Sequence, residues 1–395
     1  MALLNRKAKE MNVNKRKKNE SGIILFVVLW ALVILTALAV SLGRGTNIEL
    51  ALTKHSVGKL KAKYLAWAGL IYAINQIRLD SKDETSNKQD TLYYCGIPMN
   101  PANSPESLFK EKSLENGFFD VSFLQKALPG LKKEEQGIDF SAYKLARESI
   151  LTSVTVVKTS HAYPGIEDEE RKINLNALKS TNAGVLSSLI ILLGFDEETA
   201  KTVAFAVVDW QDEGSTLSDE VYGAEDDYYM SAGGYHCKDI YFDSLEELLL
   251  VRGMTEELFA KMKPYVTIFP KSGGLRINFD TASEAVLKAA ALSFTGESSN
   301  TEISDAESLV EKIFEYRRGS DGMEFTEDDQ SVDEGKMGLN AKERAIFLAM
   351  NVLRTKISDY LRVVVKGVEK KLDVESRIEA VVSREDLSIV DWRVR

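Results

Sequence analysis

At 395 residues the chain is long enough for two or three domains, and its 44% hydrophobic content excludes a disordered polypeptide. Its 60 Asp and Glu outweigh 50 Lys and Arg, a balance that repels nucleic acid and favours divalent cations or basic partners. Cys95 and Cys237 allow a single disulfide, which sequence alone cannot bring to bonding distance, and His55, His161 and His236 make no zinc spacing with them.

Residues 1–22 form a basic leader, with Arg6, Lys7, Lys9, Lys15, Arg16, Lys17 and Lys18 against Glu10 and Glu20. Ile23 to Leu42 then carry no charge. About twenty apolar residues, each rising ~1.5 Å, cover the ~30 Å hydrocarbon core of a bilayer. A transmembrane helix is therefore predicted over 23–43. The basic flank holds the N-terminus in the cytoplasm and puts the bulk of the chain on the far side. The apolar run is too long for a secretory signal and lacks a small-x-small cleavage site, so it is read as retained.

A Gly between a basic leader and an unbroken apolar run resembles the type III signal of pilins and pseudopilins. The resemblance implies that a prepilin peptidase cuts after Gly22 and methylates Ile23. A residue without Cβ extends easily into a protease cleft. Most of that family have Glu as the fifth mature residue, where this chain has Val27. A carboxylate in a membrane helix is costly unless it meets a cation, and a subunit that caps a filament has no further neighbour to supply one. The substitution points to a tip subunit, and an ordinary anchored protein would share it.

Beyond the membrane, Val57, Leu60, Tyr64, Trp67, Ile71 and Ile74 recur at helical spacing, with a kink expected at Gly43 and Gly45. Phe118–Phe123 and Ile150–Val157 read as strands, as do Tyr360–Val368, Val374–Val382 and Ser388–Val394. Two strands before and three after a helical block imply one antiparallel sheet with an insertion, an α+β head packed on the first helix. Ile173-Asn174-Leu175-Asn176 recurs as Ile277-Asn278-Phe279-Asp280, and Asn or Asp before a helix caps its free amides. Two helix-turn-helix units follow, turning at Gly194–Glu198 and at Gly253–Thr255. They resemble helix-hairpin-helix or SAM-like modules. Asp196, Glu197, Glu198, Glu256 and Glu257 in the turns argue against phosphate binding, so no nucleic-acid partner is expected.

Asp209, Asp212, Glu213, Asp219, Glu220, Glu225, Asp226 and Asp227 crowd one stretch. Convergent carboxylates repel unless a cation sits among them, and oxygen ligands without His or Cys favour calcium. A solvated acidic loop is the alternative, and the residues leave both open. The loop lacks EF-hand spacing. A second acidic run, Asp321–Glu334, is read as solvated loop. No Gly-rich phosphate loop, G-x-S-x-G or H-E-x-x-H occurs, so no enzyme is expected.

Five motifs stand in order: IEDEERKINLN (166–176), Asp209-Trp210-Gln211-Asp212, GAEDDYY (223–229), FDSLEELLLVRG (242–253) and Pro264-Tyr265-Val266-Thr267. Together they resemble the type II secretion system minor pseudopilin K family, also called the general secretion pathway protein K family. Asp80–Arg147 and Asp321–Glu334 depart from it. The resemblance implies a pilin-like head carrying a helical insertion. It also implies calcium held among Asp209, Asp212, Glu225 and Asp226. The expected role is to cap the pseudopilus with the I and J minor pseudopilins, in the inner membrane with the head in the periplasm. The domains anticipated are leader 1–22, membrane helix 23–43 and the first part of the head 44–171. A helical insertion over 172–275 and 276–357 and strands over 358–395 complete the set. A permanently anchored periplasmic calcium-dependent binding protein without a filament role is the competing expectation.

Overall fold

A single helix, α1 (Ala2–Asp80), opens the chain in the computed structural model. The structure describes residues 2–80, 118–120, 137–139, 154–156, 166–296, 300–320, 322, 324, 329–369 and 372–395. Contacts divide it into two units, Met1–Ala62 with Glu369–Val374, and Lys63–Val368 with Glu375–Arg395. In the first unit, Ile24–Leu42 is long and apolar enough to cross a membrane, and its apolar side chains are exposed. Gly43 and Gly45, where a kink or loosening is expected, lie within the continuous helix. Glycine weakens a helix by about 1 kcal/mol relative to Ala but keeps its N–H, so the hydrogen-bond ladder can continue.

Within the second unit the buried face of α1 is Ala66, Leu70, Ala73, Ile74 and Ile77. Of the predicted stripe only Ile74 is fully buried, whereas Tyr64 is exposed and Trp67 and Ile71 lie at the margin. The seam runs through the alanines because small side chains let the helix sit close to the sheet. Counting only large apolar residues shifts the face by one position. Four short strands follow: β1 (Phe118–Asp120), β2 (Gly137–Asp139), β3 (Val154–Val156) and β4 (Ile166–Asp168). Strands β1 and β2 form their own antiparallel pair, so Phe118–Asp120 is not part of the main sheet as predicted.

The chain then uses one design twice. The first repeat starts at β5 (Ile173–Asn174), followed by α2 (Ala183–Leu192), α3 (Glu197–Gln211), α4 (Asp226–Ala232) and α5 (Glu256–Met262). It closes with β6 (Val266–Thr267), parallel to β5. The second starts at β7 (Ile277–Asn278), runs through α6 (Glu284–Leu292), α7 (Ile303–Arg317) and α8 (Ala341–Met350), and closes with β8 (Arg354–Thr355), parallel to β7. In both, the strand's Asn folds a tight turn: Asn174 Oδ1 accepts from the Asn176 N–H and Asn278 Oδ1 from the Asp280 N–H.

The correspondence reaches the helix ends. Gln211, the last residue of α3, donates to the carbonyls of Leu175 and Leu178. Arg317, the last residue of α7, donates to those of Phe279 and Ala282. The helix turns are those expected from sequence. Gly194 and Gly253 have φ of 93° and 80°, a left-handed conformation that suits glycine. Asp196 and Thr255 then cap the next helices. Residues Leu245–Leu250, read as α-helical, form a 3-10 helix instead.

Three C-terminal strands, β9 (Tyr360–Glu369), β10 (Val374–Ser383) and β11 (Ile389–Val394), complete the fold. Strand β9 is central, with β10 and then β11 on one side and both β3 and β4 on the other. Leu361, Val363, Val365, Ile378, Ala380 and Val382 point to α1 and form one core, while the helical repeats enclose the larger one. The molecule is thus α+β.

Three consecutive acids after Glu167 join the sheet to the repeats. Asp168 Oδ2 accepts from Asn278 Nδ2, Thr281 Oγ1 and Ser358 Oγ at 2.9, 2.6 and 2.7 Å. Glu169, fully buried, pairs with Arg362 of β9 and accepts from the Thr267 hydroxyl. Glu170 accepts from the N–H groups of Asp359 and Tyr360 and from Arg276. Burial foremost pushes the Glu170 carboxyl up to about 8, with the Asp168 and Asp359 carboxylates adding to the rise and the two N–H donors opposing it. In the unfolded chain it would ionise near 4.5. Its stabilising share is therefore full below that value and lost as pH rises through about 8. Glu170→Gln, neutral throughout, is expected to flatten the fall in melting temperature across that window. Parallel pH profiles for the variant and the natural chain would contradict this.

Candidate metal centre

The C-terminal end of α3 delivers Asp209 into the core, and the loop after it delivers Asp212 and Glu225. One carboxylate oxygen from each lies within 4.8 Å of the other two. Asp209 is fully buried and organises the loop, accepting from the N–H groups of Ser218 and Ala224 at 2.8 and 2.6 Å. A Cβ on Gly223 would sit 2.4 Å from Asp209 Oδ2 and 2.7 Å from the Asp219 carbonyl, so only glycine lets the backbone pass there. Glu225 precedes α4 without capping it, and its Oε1 is buried with no hydrogen-bond partner.

Charge accumulates here. Burial, followed by the neighbouring Asp209, Asp212, Asp239 and Asp226 carboxylates, pushes Glu225 up to about 7. Asp212 is raised by burial and then by Asp209 and Asp239. Asp239 forms a second close group with Glu225 and Cys237. No pattern in the sequence marks Asp239. Its backbone is left-handed, at φ 52°, and its N–H is held by the Trp210 carbonyl. Asp226, the fourth predicted ligand, is engaged elsewhere. Its Oδ2 meets His236 Nδ1 at 2.9 Å and its Oδ1 accepts the Cys237 N–H at 2.6 Å.

A hard divalent cation fits this donor set. Carboxylate oxygens from Asp209, Asp212 and Glu225 would hold it, and Glu225 Oε1 would gain the partner it lacks. A thiophilic metal fits less well. Burial first, then Asp239 and Glu225, pushes the Cys237 thiol up to about 12, so the sulfur keeps its proton. Cys237 is a buried free thiol in contact with the Asp209 carbonyl, and Cys95 lies outside the described residues.

The wall around the acids is aromatic. Trp210 meets Tyr229 edge-on at 5.0 Å and stacks near Phe242 at 6.5 Å. Arg252 locks the GAEDDYY run to the turn before α5 through a 2.7 Å bond to the Gly223 carbonyl, while its own N–H reaches Tyr229 Oη. The second acidic run is held differently. Arg317 pairs with Glu324, Arg354 donates to the Val332 carbonyl, and Asp280 accepts from Ser331 and from the Val332 N–H. Among the described residues, both clusters of three side chains close enough to share an ion contain Glu225.

Residues 171–271 match the family model described as Type II secretion system (T2SS), protein K. The type II secretion system protein K of Dickeya chrysanthemi is 36% identical over 93 residues, which are 24% of this chain and 25% of that protein. The protein of the same name from Aeromonas hydrophila is 34% identical over 94 residues, 24% of this chain and 28% of its own. The matched segment thus spans about a quarter of these relatives. A chain in the crystal structure of the GspK-GspI-GspJ complex from the enterotoxigenic Escherichia coli type 2 secretion system superposes at a TM-score of 0.44 and 16% identity, covering 65% of this chain and 93% of that one. The matched segment coincides with the first helical repeat and includes Asp209, Asp212, Glu225 and Asp239. Over this segment the chain resembles the type II secretion system protein K family.

Proposed function

We propose that the chain is a non-catalytic minor pseudopilin that caps the tip of the type II secretion pseudopilus and acts in protein export across the outer membrane. The observation carrying this reading is the helical insertion of two repeats between β4 and β9, on a chain that begins with a membrane-length apolar helix. A block of that width is hard to stack inside a filament and easy to accommodate at its end. Val27, in place of the acid that most pilins carry, agrees with a terminal position. Its partners would be the I and J minor pseudopilins, with the N-terminus in the cytoplasm, α1 in the inner membrane and the head, its insertion SAM-like, in the periplasm. Calcium would occupy the Asp209, Asp212 and Glu225 cluster.

Maturation supplies the first test. Prepilin peptidase would cut after Gly22 and methylate Ile23, so Gly22→Leu is expected to accumulate as the longer precursor. N-terminal sequencing that finds Met1 retained in the natural protein would favour the anchored binding protein instead. The tip assignment is tested by co-purification with I and J minor pseudopilins. Recovery along the shaft, rather than with these partners, would rule the cap out.

A further inference from the structure

We propose that the apolar and aromatic patch around Arg252 docks a segment of another polypeptide that carries an aliphatic or aromatic anchor flanked by Lys or Arg. Four exposed residues from three separate stretches are tied together there, Val221 and Leu250 through their carbonyls and Tyr228 and Tyr235 through ring contacts to Arg252 and Tyr229. Val221 is 66% exposed and Leu250 46% exposed, with Tyr228 and Tyr235 also open to solvent. Contiguous exposed apolar surface of this kind marks a binding site more often than scattered single residues do.

The patch is held rigidly before any partner arrives. The Arg252 guanidinium lies 4.9 Å from the Tyr228 ring centre and donates to the carbonyls of Val221 and Gly223. Tyr235 Oη donates to the Leu250 carbonyl at 2.7 Å, and the rings of Tyr228, Tyr229 and Tyr235 follow one another at 5.4 and 5.6 Å. Preset aromatic anchors of this type carry much of the energy of protein interfaces because little ordering remains to be done.

Charge selects the occupant. Glu213, Asp219, Glu220, Asp226 and Asp227 lie on the loop and helix that present Val221 and Tyr228. A divalent cation among Asp209, Asp212 and Glu225 would leave all five in place, so the inference stands apart from the metal reading. Lys238 is already paired with Asp243 and Glu247, and Arg252, whose Nη1 donates to two carbonyls, sets one positive charge against the five acids. The surrounding field is therefore acidic, and it attracts a basic segment and repels an acidic one.

The test selects a phage-displayed library of short linear peptides against the full chain in lipid nanodiscs. Enriched peptides are expected to place Leu, Ile, Phe or Trp beside Lys or Arg and to weaken with added salt. Val221→Asp and Leu250→Asp, at exposed positions that leave the melting temperature unchanged, should each raise Kd about tenfold or more. Glu213→Lys with Glu220→Lys should weaken the same peptides, while Val352→Asp on the second repeat should not. An absence of enrichment, enrichment of acidic peptides, or binding indifferent to Val221→Asp and Leu250→Asp overturns the proposal. Self-association of the chain abolished by those two substitutions would assign the patch to a second copy and overturn it equally.

Discussion

Arg362→Ala is expected to cost the head about 3–5 kcal/mol, because it strands a carboxylate in a site closed to water. Glu169 has no exposed surface, and burial alone would raise its pKa. Arg362 and Lys172, with hydrogen bonds from Arg362 and Thr267, overcome burial and hold it at about 2. The ion pair thus stabilises the fold above the ordinary value of 4.5, and that contribution is lost as pH falls from there through about 2. Arg362 also pairs with Glu379 across β10, so its removal loosens the sheet and the attachment of the first repeat together. Thermal melting of the full chain in detergent checks the loss. The double substitution Glu169→Gln with Arg362→Leu should recover much of it, since the unpaired charge is then gone. A melting temperature unmoved by Arg362→Ala, or a double variant no better than the single one, would show that the pair is not what joins these elements.

Calcium is expected to raise the melting temperature of the natural chain and to leave that of Glu225→Gln unchanged. An ion that binds only the folded state stabilises it by about 2.7 kcal/mol at a hundredfold excess over Kd. Glu225 is the informative position because it belongs to both close clusters and owns a buried oxygen without a partner. Asp212→Ala should abolish the response as well. Asp226→Ala should keep it, since that side chain is bound to His236 and to the Cys237 N–H rather than pooled with the others. Glu225→Gln removes charge from a crowded site, so on its own it should raise the metal-free melting temperature, which separates loss of the ion from loss of the fold. A calcium response that survives Glu225→Gln would place the ion elsewhere, and magnesium matching calcium would argue against a site of large, flexible oxygen coordination.

How much of this was readable beforehand varies with the range of the interaction. The apolar run from Ile23 to Leu42, the three C-terminal strands, the paired helix turns and the echo of Ile173–Asn176 in Ile277–Asp280 are local patterns. Each is dictated by solvent preference or backbone geometry over a few residues, and each stands in the structure where it was expected. The failures are equally physical. The buried face of α1 follows alanines that no count of large apolar side chains detects. The partner of β1 is a three-residue strand with no periodicity to announce it.

The acidic loop shows the same division. Composition gave eight crowded carboxylates and left a cation and open water equally open, and it was the family resemblance that singled out Asp209, Asp212, Glu225 and Asp226. The convergence of the first three, the approach of Asp239 to Glu225 and the diversion of Asp226 to His236 depend on how α3, the loop and α4 cross in space. The run Asp168-Glu169-Glu170 is plain in the sequence as charge, yet only the tertiary structure assigns these acids distant partners, among them Thr267, Arg276 and Arg362, which lie 98, 106 and 193 residues away. Short-range chemistry was therefore settled by the order of residues. The long-range pairings were decided by folding, because the energy of a buried charge depends on which distant groups the fold brings to it.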